Sequence, residues 1–276
     1  MKDDFESWDQ AIPGVAGQIV VTLSNLSAPP ETQNRFPHVD YHVAKDIQYQ
    51  LMACDPAFWQ LGGVMEYQTN YADEESLRQA YRLMRHYCIE GNRDPLTDGS
   101  LILPHLSNPD FARGLDSWVV ETTDDATVSA RQIRGISWLQ GRWRRMIEGN
   151  TLCVLDPGEK GTACVRQQVL KLQRGRLYSV KAIAANVDDM HANRPAELDI
   201  ALAKSSFLHE PSFAETYPNL YDRYVIDFTP DTPAYFTFYR YVFRAASRRD
   251  TITLSLPERE REPVGFNFVE VQPYRE

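Results

Sequence analysis

The sequence predicts a mixed chain: a partial α/β segment over residues 1–95, a linker at 96–104, and an all-β antiparallel sandwich over 105–276. Three observations predict it. Two apolar runs, "QIVVTLSNL" at 18–26 and "LGGVMEYQTN" at 61–70, each precede a stretch with apolar residues at helical spacing, the order of a parallel sheet. From Asn108 onward the rhythm changes to short alternating segments separated by turn residues, the order of an antiparallel sandwich. Aromatic residues make up 11 % of the chain, which suits a β-rich fold.

The elements follow in order. Residues 3–11 read as a short helix, and 18–26 as a strand buried on both faces. After a Pro-rich loop, "VDYHVAKDIQYQLMACD" carries Val43, Ile47, Leu51 and Cys54 as an apolar stripe, and Asp55-Pro56 ends the helix. The strand at 61–70 leads into a helix capped by Asp73, with Leu77, Tyr81, Met84 and Cys88 as its stripe and Gly91 as its stop. This βαβα order can neither close a barrel nor bury both faces of a sheet, so a packing partner is expected for the exposed faces of the segment. Beyond the linker, nine strands are expected: "SWVVETT", "ATVSARQI", "NTLCVLD", "CVRQQVLKL", "LYSVKAIAANV", "ELDIALAK", "YFTFYRYVFRAA", "DTITLSL" and "GFNFVEVQPY".

Composition narrows the function. The formal net charge of −9 excludes a basic nucleic-acid footprint spread over the surface. No apolar run approaches the roughly 20 residues that span a bilayer, so no membrane partner is expected. The start, "MKDDFESWDQ", lacks the plan of a secretory leader and reads as a cut within a longer polypeptide; a complete chain would be cytoplasmic, a fragment part of an exported protein. Cys54, Cys88, Cys153 and Cys164 show no metal-knuckle spacing. Cys153 and Cys164 flank the turn "VLDPGEKGTA" and would face each other across a hairpin, as a disulfide or as two free thiols.

The second segment resembles CenC-type carbohydrate-binding modules, which are galactose-binding-like jelly-roll sandwiches. Their chains open with Asn-Gly-Asp-Phe-Glu-x-Gly-x-x-x-Trp; in "NPDFARGLDSW" Asn108, Asp110, Phe111, Gly114 and Trp118 match, while Pro109 and Ala112 depart. "VRQQVLKLQRGRLYSVKAIA", "YRYVFRAASRRDTITLSL" and the closing "FNFVEVQPY" are similar in the same order, so the resemblance covers about 105–276. It implies a first strand at the opening motif, with Phe111 and Trp118 as core plugs and Gly114 at positive φ. It also implies carboxylates near the first and last strands that hold a structural calcium; Asp110 and Glu270 are the candidates, and plain turn or surface residues the alternative. The first hundred residues resemble the last two βα units of a glycoside-hydrolase-like (β/α)8 barrel. In such a barrel Glu66, ending a strand beside Tyr67 and near Trp59, and Glu31, on a loop, are the candidate catalytic carboxylates.

Sugar recognition has two further candidates. "GISWLQGRWRRM" places Trp138 and Trp143 beside Arg142, a pairing that stacks on and hydrogen-bonds sugars, acidic ones included, ahead of nucleic acid. In "AYFTFYRYVFRAA" one face carries Tyr235, Thr237, Tyr239, Tyr241 and Phe243, and the other Phe236, Phe238, Arg240, Val242 and Arg244; one of the two is core, and Tyr239 and Arg240 are the candidate contacts. His38 and His42 share a helix-face spacing, but no third metal ligand accompanies them. The expected role is non-catalytic polysaccharide binding as an accessory of a glycoside-hydrolase-like protein, needing no cofactor beyond that calcium. The alternatives are a glycoside-hydrolase fragment whose site an upstream barrel region completes, and a structural sandwich that mediates protein contacts.

Overall fold

A computed structural model describes residues 2–24, 39–67, 73–133, 150–219 and 234–276. The candidates Glu31, Trp138, Arg142 and Trp143, and also His38, lie outside the described residues. Two compact units are present, one of the described residues up to Glu31 with Asp40–Leu101 and Arg275–Glu276, the other of Val39 with Ile102–Tyr274. Among the described residues no helix is long and apolar enough to cross a membrane.

The first unit has the order α1 (Lys2–Ala11), β1 (Val20–Ser24), α2 (Tyr41–Cys54), β2 (Gly63–Tyr67) and α3 (Glu74–Leu83), the last running into a π-turn at Met84–Ile89. β1 and β2 are parallel, in register from Val20 opposite Gly63 to Ser24 opposite Tyr67. Asp73 caps α3 by accepting from the Ser76 N–H and Gly91 follows the last turn at φ 69°, as the sequence predicts; Asp40, a cap the sequence reading did not name, accepts from the His42 and Val43 N–H groups.

The helix stripes differ from expectation. Ile47, Leu51, Leu77 and Tyr81 are exposed. Val43 is buried as expected, but it is joined by His42, Lys45, Asp46 and Tyr49 on α2, and on α3 the buried residues are Glu75, Ser76, Gln79, Ala80 and Leu83. Part of this polar side is paired: Tyr87 Oη donates to Asp46 Oδ1 at 2.5 Å, Gln79 Nε2 to Thr97 Oγ1 at 2.6 Å, and His42 Nε2 lies 3.1 Å from Glu75 Oε1. The apolar core beside them is small: Tyr49, Leu83 and Tyr87, flanked by Leu23 and Val64.

The second unit is an antiparallel sandwich of ten strands among the described residues: β3 (Val119–Thr122), β4 (Thr127–Ile133), β5 (Asn150–Asp156), β6 (Ala163–Val169), β7 (Leu177–Asn186), β8 (Asp199–Leu202), β9 (Phe207–Asn219), β10 (Ala234–Arg244), β11 (Asp250–Ser255) and β12 (Val264–Pro273). One sheet has the order β4-β5-β12-β7-β10-β9 and the other β3-β6-β11-β8. β11 alternates buried and half-buried residues, as a strand with one core face does, whereas all ten residues of β7 and of β12 are buried. The inter-sheet core joins Val165, Ile252 and Leu254 of the smaller sheet to Tyr178, Val180, Phe243, Phe266, Val269 and Val271 of the larger. Each such side chain contributes about 2 kcal/mol on leaving water.

Three local expectations change. Residues 108–118 form a turn-rich plug, and the strand begins only at Val119. Asn108 Nδ2 donates to the Gly114 and Asp116 carbonyls, and its own carbonyl accepts from Trp118 Nε1, which stacks Trp118 on the fully buried Phe111 at 5.2 Å. β9 is a strand that the sequence reading omits; Pro211 and Pro218 within it are tolerated because it lies at a sheet edge. Cys153 and Cys164 are free thiols on β5 and β6, which belong to different sheets and form no hairpin pair.

Candidate ligand-binding face

The six-stranded sheet has a second face, directed away from the inter-sheet core, and it divides in two. One half is apolar: Leu152 and Val154 of β5, Ile183 and Ala185 of β7, Phe236 and Phe238 of β10, and Phe268 of β12 form a buried cluster. The other half is polar. Register places Arg240 of β10 and Glu270 of β12 opposite Lys181 on either side, and Gln272 opposite Ser179. Phe213 of β9 extends the first row on the far side of Arg240.

A bulge in β12 creates the polar half. Asn267 is the partner of Ile183 and Glu270 of Lys181, so three steps along β12 answer two along β7. Phe268, at φ 54°, absorbs the extra residue. Before the bulge, Val264 and Phe266 face the inter-sheet core; after it, Val269 and Val271 do. That change of parity turns Glu270 and Gln272 outward to meet Lys181 and Ser179.

These polar groups are deeply placed. Exposure is 0 % at Ser179, 1 % at Gln272, 7 % at Lys181 and 6 % at both Arg240 and Glu270. Among the described residues, Ser179 Oγ and both amide atoms of Gln272 have no hydrogen-bond partner. The Arg240 guanidinium is held in place, 4.9 Å from the Phe213 ring centre and 5.8 Å from that of Tyr274, with Nη2 donating to the Pro211 carbonyl at 3.3 Å. Both rings are half-buried.

The structure therefore brings Arg240 and Glu270 into one row. Tyr239 sits elsewhere, in the inter-sheet core, where its hydroxyl donates to the Ala196 carbonyl at 2.7 Å and accepts from the Leu198 N–H at 2.9 Å. Burial pushes that hydroxyl well above the usual tyrosine range. Asp110 accepts from the Ala112 N–H, a turn contact, and among the described residues no group of three or more His, Cys, Asp and Glu side chains is gathered for a metal ion. Ser179, Lys181 and Gln272 are the members of this polar half that sequence reasoning missed. Their signal was a polar alternation in "LYSVKAIA" for the first two and in "FVEVQP" for Gln272.

Glu66 lies in the first unit, near the end of β2. Lys45 Nζ and Tyr49 Oη, both on α2, each donate to it at 2.5 Å, and its side chain is 7 % exposed. Burial lowers the Lys45 pKa against the opposing pull of Glu66, and burial together with the hydrogen bond to Glu66 holds Tyr49 protonated far into the alkaline range. A cavity of about 400 Å³ in this unit is lined by Tyr49, Phe58, Trp59, Tyr87, Asn92 and Arg93; Glu66 is not among its lining residues.

Neighbours of this chain among solved structures include carbohydrate-binding modules of the β-sandwich type, at low identity. Family 16 Carbohydrate Binding Module-2 shares 15 % identity with a TM-score of 0.34, over 60 % of this chain and 97 % of that one. TmCBM61 in complex with β-1,4-galactotriose shares 15 % with a TM-score of 0.34, over 61 % and 97 %. The enzymatically active domain of bacteriophage CBA120 tailspike protein 4 shares 17 % with a TM-score of 0.38 over 61 % of this chain, which spans only 21 % of that domain. No protein-family model matches the chain, and no curated protein matches it.

Proposed function

We propose that this chain is a non-catalytic carbohydrate-binding protein, an accessory of a glycoside-hydrolase-like protein, and that its ligand lies against the polar half of the six-stranded sheet. One observation carries the reading: among the described residues, Ser179 Oγ and the Gln272 amide are buried and have no hydrogen-bond partner, in a row next to that of Lys181, Arg240 and Glu270. Unsatisfied buried groups cost about 1–3 kcal/mol each, so a fold that retains them gains where a ligand supplies the missing bonds. A sugar supplies them well, because each hydroxyl both donates and accepts. The half-buried rings of Phe213 and Tyr274 offer the apolar contact that a pyranose face needs. Trp138, Arg142 and Trp143 take a stacking role in the same reading, and no covalent chemistry is required.

The test is isothermal titration of the full chain against a panel of neutral and acidic polysaccharides. Binding that weakens at least about ten-fold in Gln272→Met supports the reading, a loss of ~1.4 kcal/mol. Absence of binding across the panel overturns it.

A further inference from the structure

We infer that the first unit holds a separate binding site for a small organic acid, a carboxylate carried on an apolar body about the size of a ring. The site is the cavity of about 400 Å³ lined by Tyr49, Phe58, Trp59, Tyr87, Asn92 and Arg93, a volume in the usual range for small-molecule pockets. Every residue that lines it belongs to the first unit, so it stands apart from the carbohydrate reading. Gly63 and Val64, which begin β2, also line it, whereas Glu66 stands near the other end of that strand. Barrel chemistry is built at the C-terminal ends of strands, and this cavity lies at an N-terminal end.

The polar side of the cavity is fixed in advance. Trp59 is 55 % exposed, yet its ring is held: Nε1 donates to the Ala53 carbonyl at 3.0 Å, and the Arg93 guanidinium lies 4.7 Å from the ring centre. The Arg93 backbone is anchored in turn, its carbonyl accepting from Gln50 Nε2 at 2.9 Å and from Cys54 Sγ at 3.7 Å. The last turns of α2 therefore position both ring and cation. A surface ordered before its ligand arrives loses less entropy on binding.

The walls select the ligand class. The hydroxyls of Tyr49 and Tyr87 are given to Glu66 and Asp46, and the Trp59 N–H is given to Ala53. With Phe58, these walls offer mainly apolar surface. A pyranose, with hydroxyls around its whole rim, is poorly served there. A cationic ligand is opposed by Arg93, which already lies over the Trp59 ring. An organic acid suits both parts: its body packs among the aromatic rings, and its two carboxylate oxygens match the planar fork of the guanidinium. Asp46 and Glu66 stand behind the tyrosine hydroxyls, which sets the acid's charge at the Arg93 end. Arg93 is exposed, so the ion pair forms at the rim and is weakened by salt.

The experiment is calorimetric titration of the full chain with 4-phenylbutyrate, its neutral amide and the matching amine, 4-phenylbutylamine, at low and high salt. The acid should bind with a Kd of about 1 mM or tighter, at least about ten-fold more tightly than the amide or the amine, and more weakly as salt rises. Arg93→Gln should bring the acid down about ten-fold and leave the amide within about two-fold, while Arg93→Lys, which keeps the charge without the fork, should fall between. Trp59→Ala should weaken acid and amide alike. Both side chains are exposed, and thermal unfolding confirms that each variant is folded. Equal or tighter binding of the amide or the amine, or indifference to Arg93, overturns the acidic ligand. Indifference to Trp59, or no binding of any of the three probes, overturns the site. Neither outcome touches the carbohydrate reading, which polysaccharide titration decides.

Discussion

Gln272→Met should make the protein more stable. Gln272 is 1 % exposed and among the described residues both polar atoms of its amide lack partners, whereas methionine fills nearly the same volume without polar demands. Two unmade hydrogen bonds cost about 2–6 kcal/mol, and a volume-conserving replacement in a packed site costs less than about 1.5 kcal/mol. The net is a gain of about 1–3 kcal/mol. At about 2–4 °C per kcal/mol for a unit of this size, the midpoint should rise by roughly 2–12 °C. Differential scanning calorimetry reads the shift, and urea titration with an unchanged slope shows that the unfolded state is not its source. The same variant should lose saccharide affinity, and opposite signs for stability and binding are what a site maintained for a ligand produces. A fall in the midpoint of 1 kcal/mol or more would mean that Gln272 belongs to a satisfied network, and the argument for a ligand at this face would go with it.

Glu66→Gln leaves the buried Lys45 ammonium without its counter-ion, and chemical denaturation should show a loss of about 3–5 kcal/mol in the first unit. Leu51→Ser, at a residue 62 % exposed on α2, should shift the same midpoint by less than about 0.5 kcal/mol despite lying in the helix's apolar stripe. Alkaline pH should destabilise the chain: Tyr49 and Tyr239, both raised by burial, keep their protons when folded, while unfolded tyrosines lose theirs near pH 10. Their stabilisation is therefore complete below about pH 10 and declines above it by up to ~1.4 kcal/mol per pH unit for each. Lys45, lowered by burial, works in the opposite sense only up to its unfolded value of 10.5, so urea midpoints measured at pH 9, 10.5 and 11.5 should fall over the last interval.

Much of the fold could be read from local signals, and the exceptions have physical causes. Nine of the expected strands coincide with strands because alternation, β-branched residues and turn glycines such as Gly175 at φ 85° agree with one another. β9 escaped because two prolines and scattered charges look like a loop, and only its edge position makes them tolerable. The helices were placed correctly but faced wrongly. A stripe such as Val43, Ile47 and Leu51 declares an inner face only when the opposite face must stay wet, and here Lys45, Asp46 and Tyr49 find buried partners across the unit. Those partners are 21 or more residues away in two of the three cases, beyond the reach of periodicity.

The site was hidden by the same kind of non-local pairing. "LYSVKAIA" and "FNFVEVQP" each show polar residues in apolar company, and neither says that they meet. They meet because β12 is bulged, and a uniform alternation would have sent Glu270 and Gln272 into the inter-sheet core. Among the described residues, Phe268 is the one non-glycine residue with positive φ that lies inside a strand; the others occupy turns and loops. Such a conformation costs about 1–3 kcal/mol and persists only where the surroundings impose it. Next to it the sheet also holds the Ser179 hydroxyl and the Gln272 amide, which among the described residues have no hydrogen-bond partner. Folding alone would be served better by apolar side chains at both positions. In the proposed reading a ligand that bonds to both offsets what it costs the fold to keep them there.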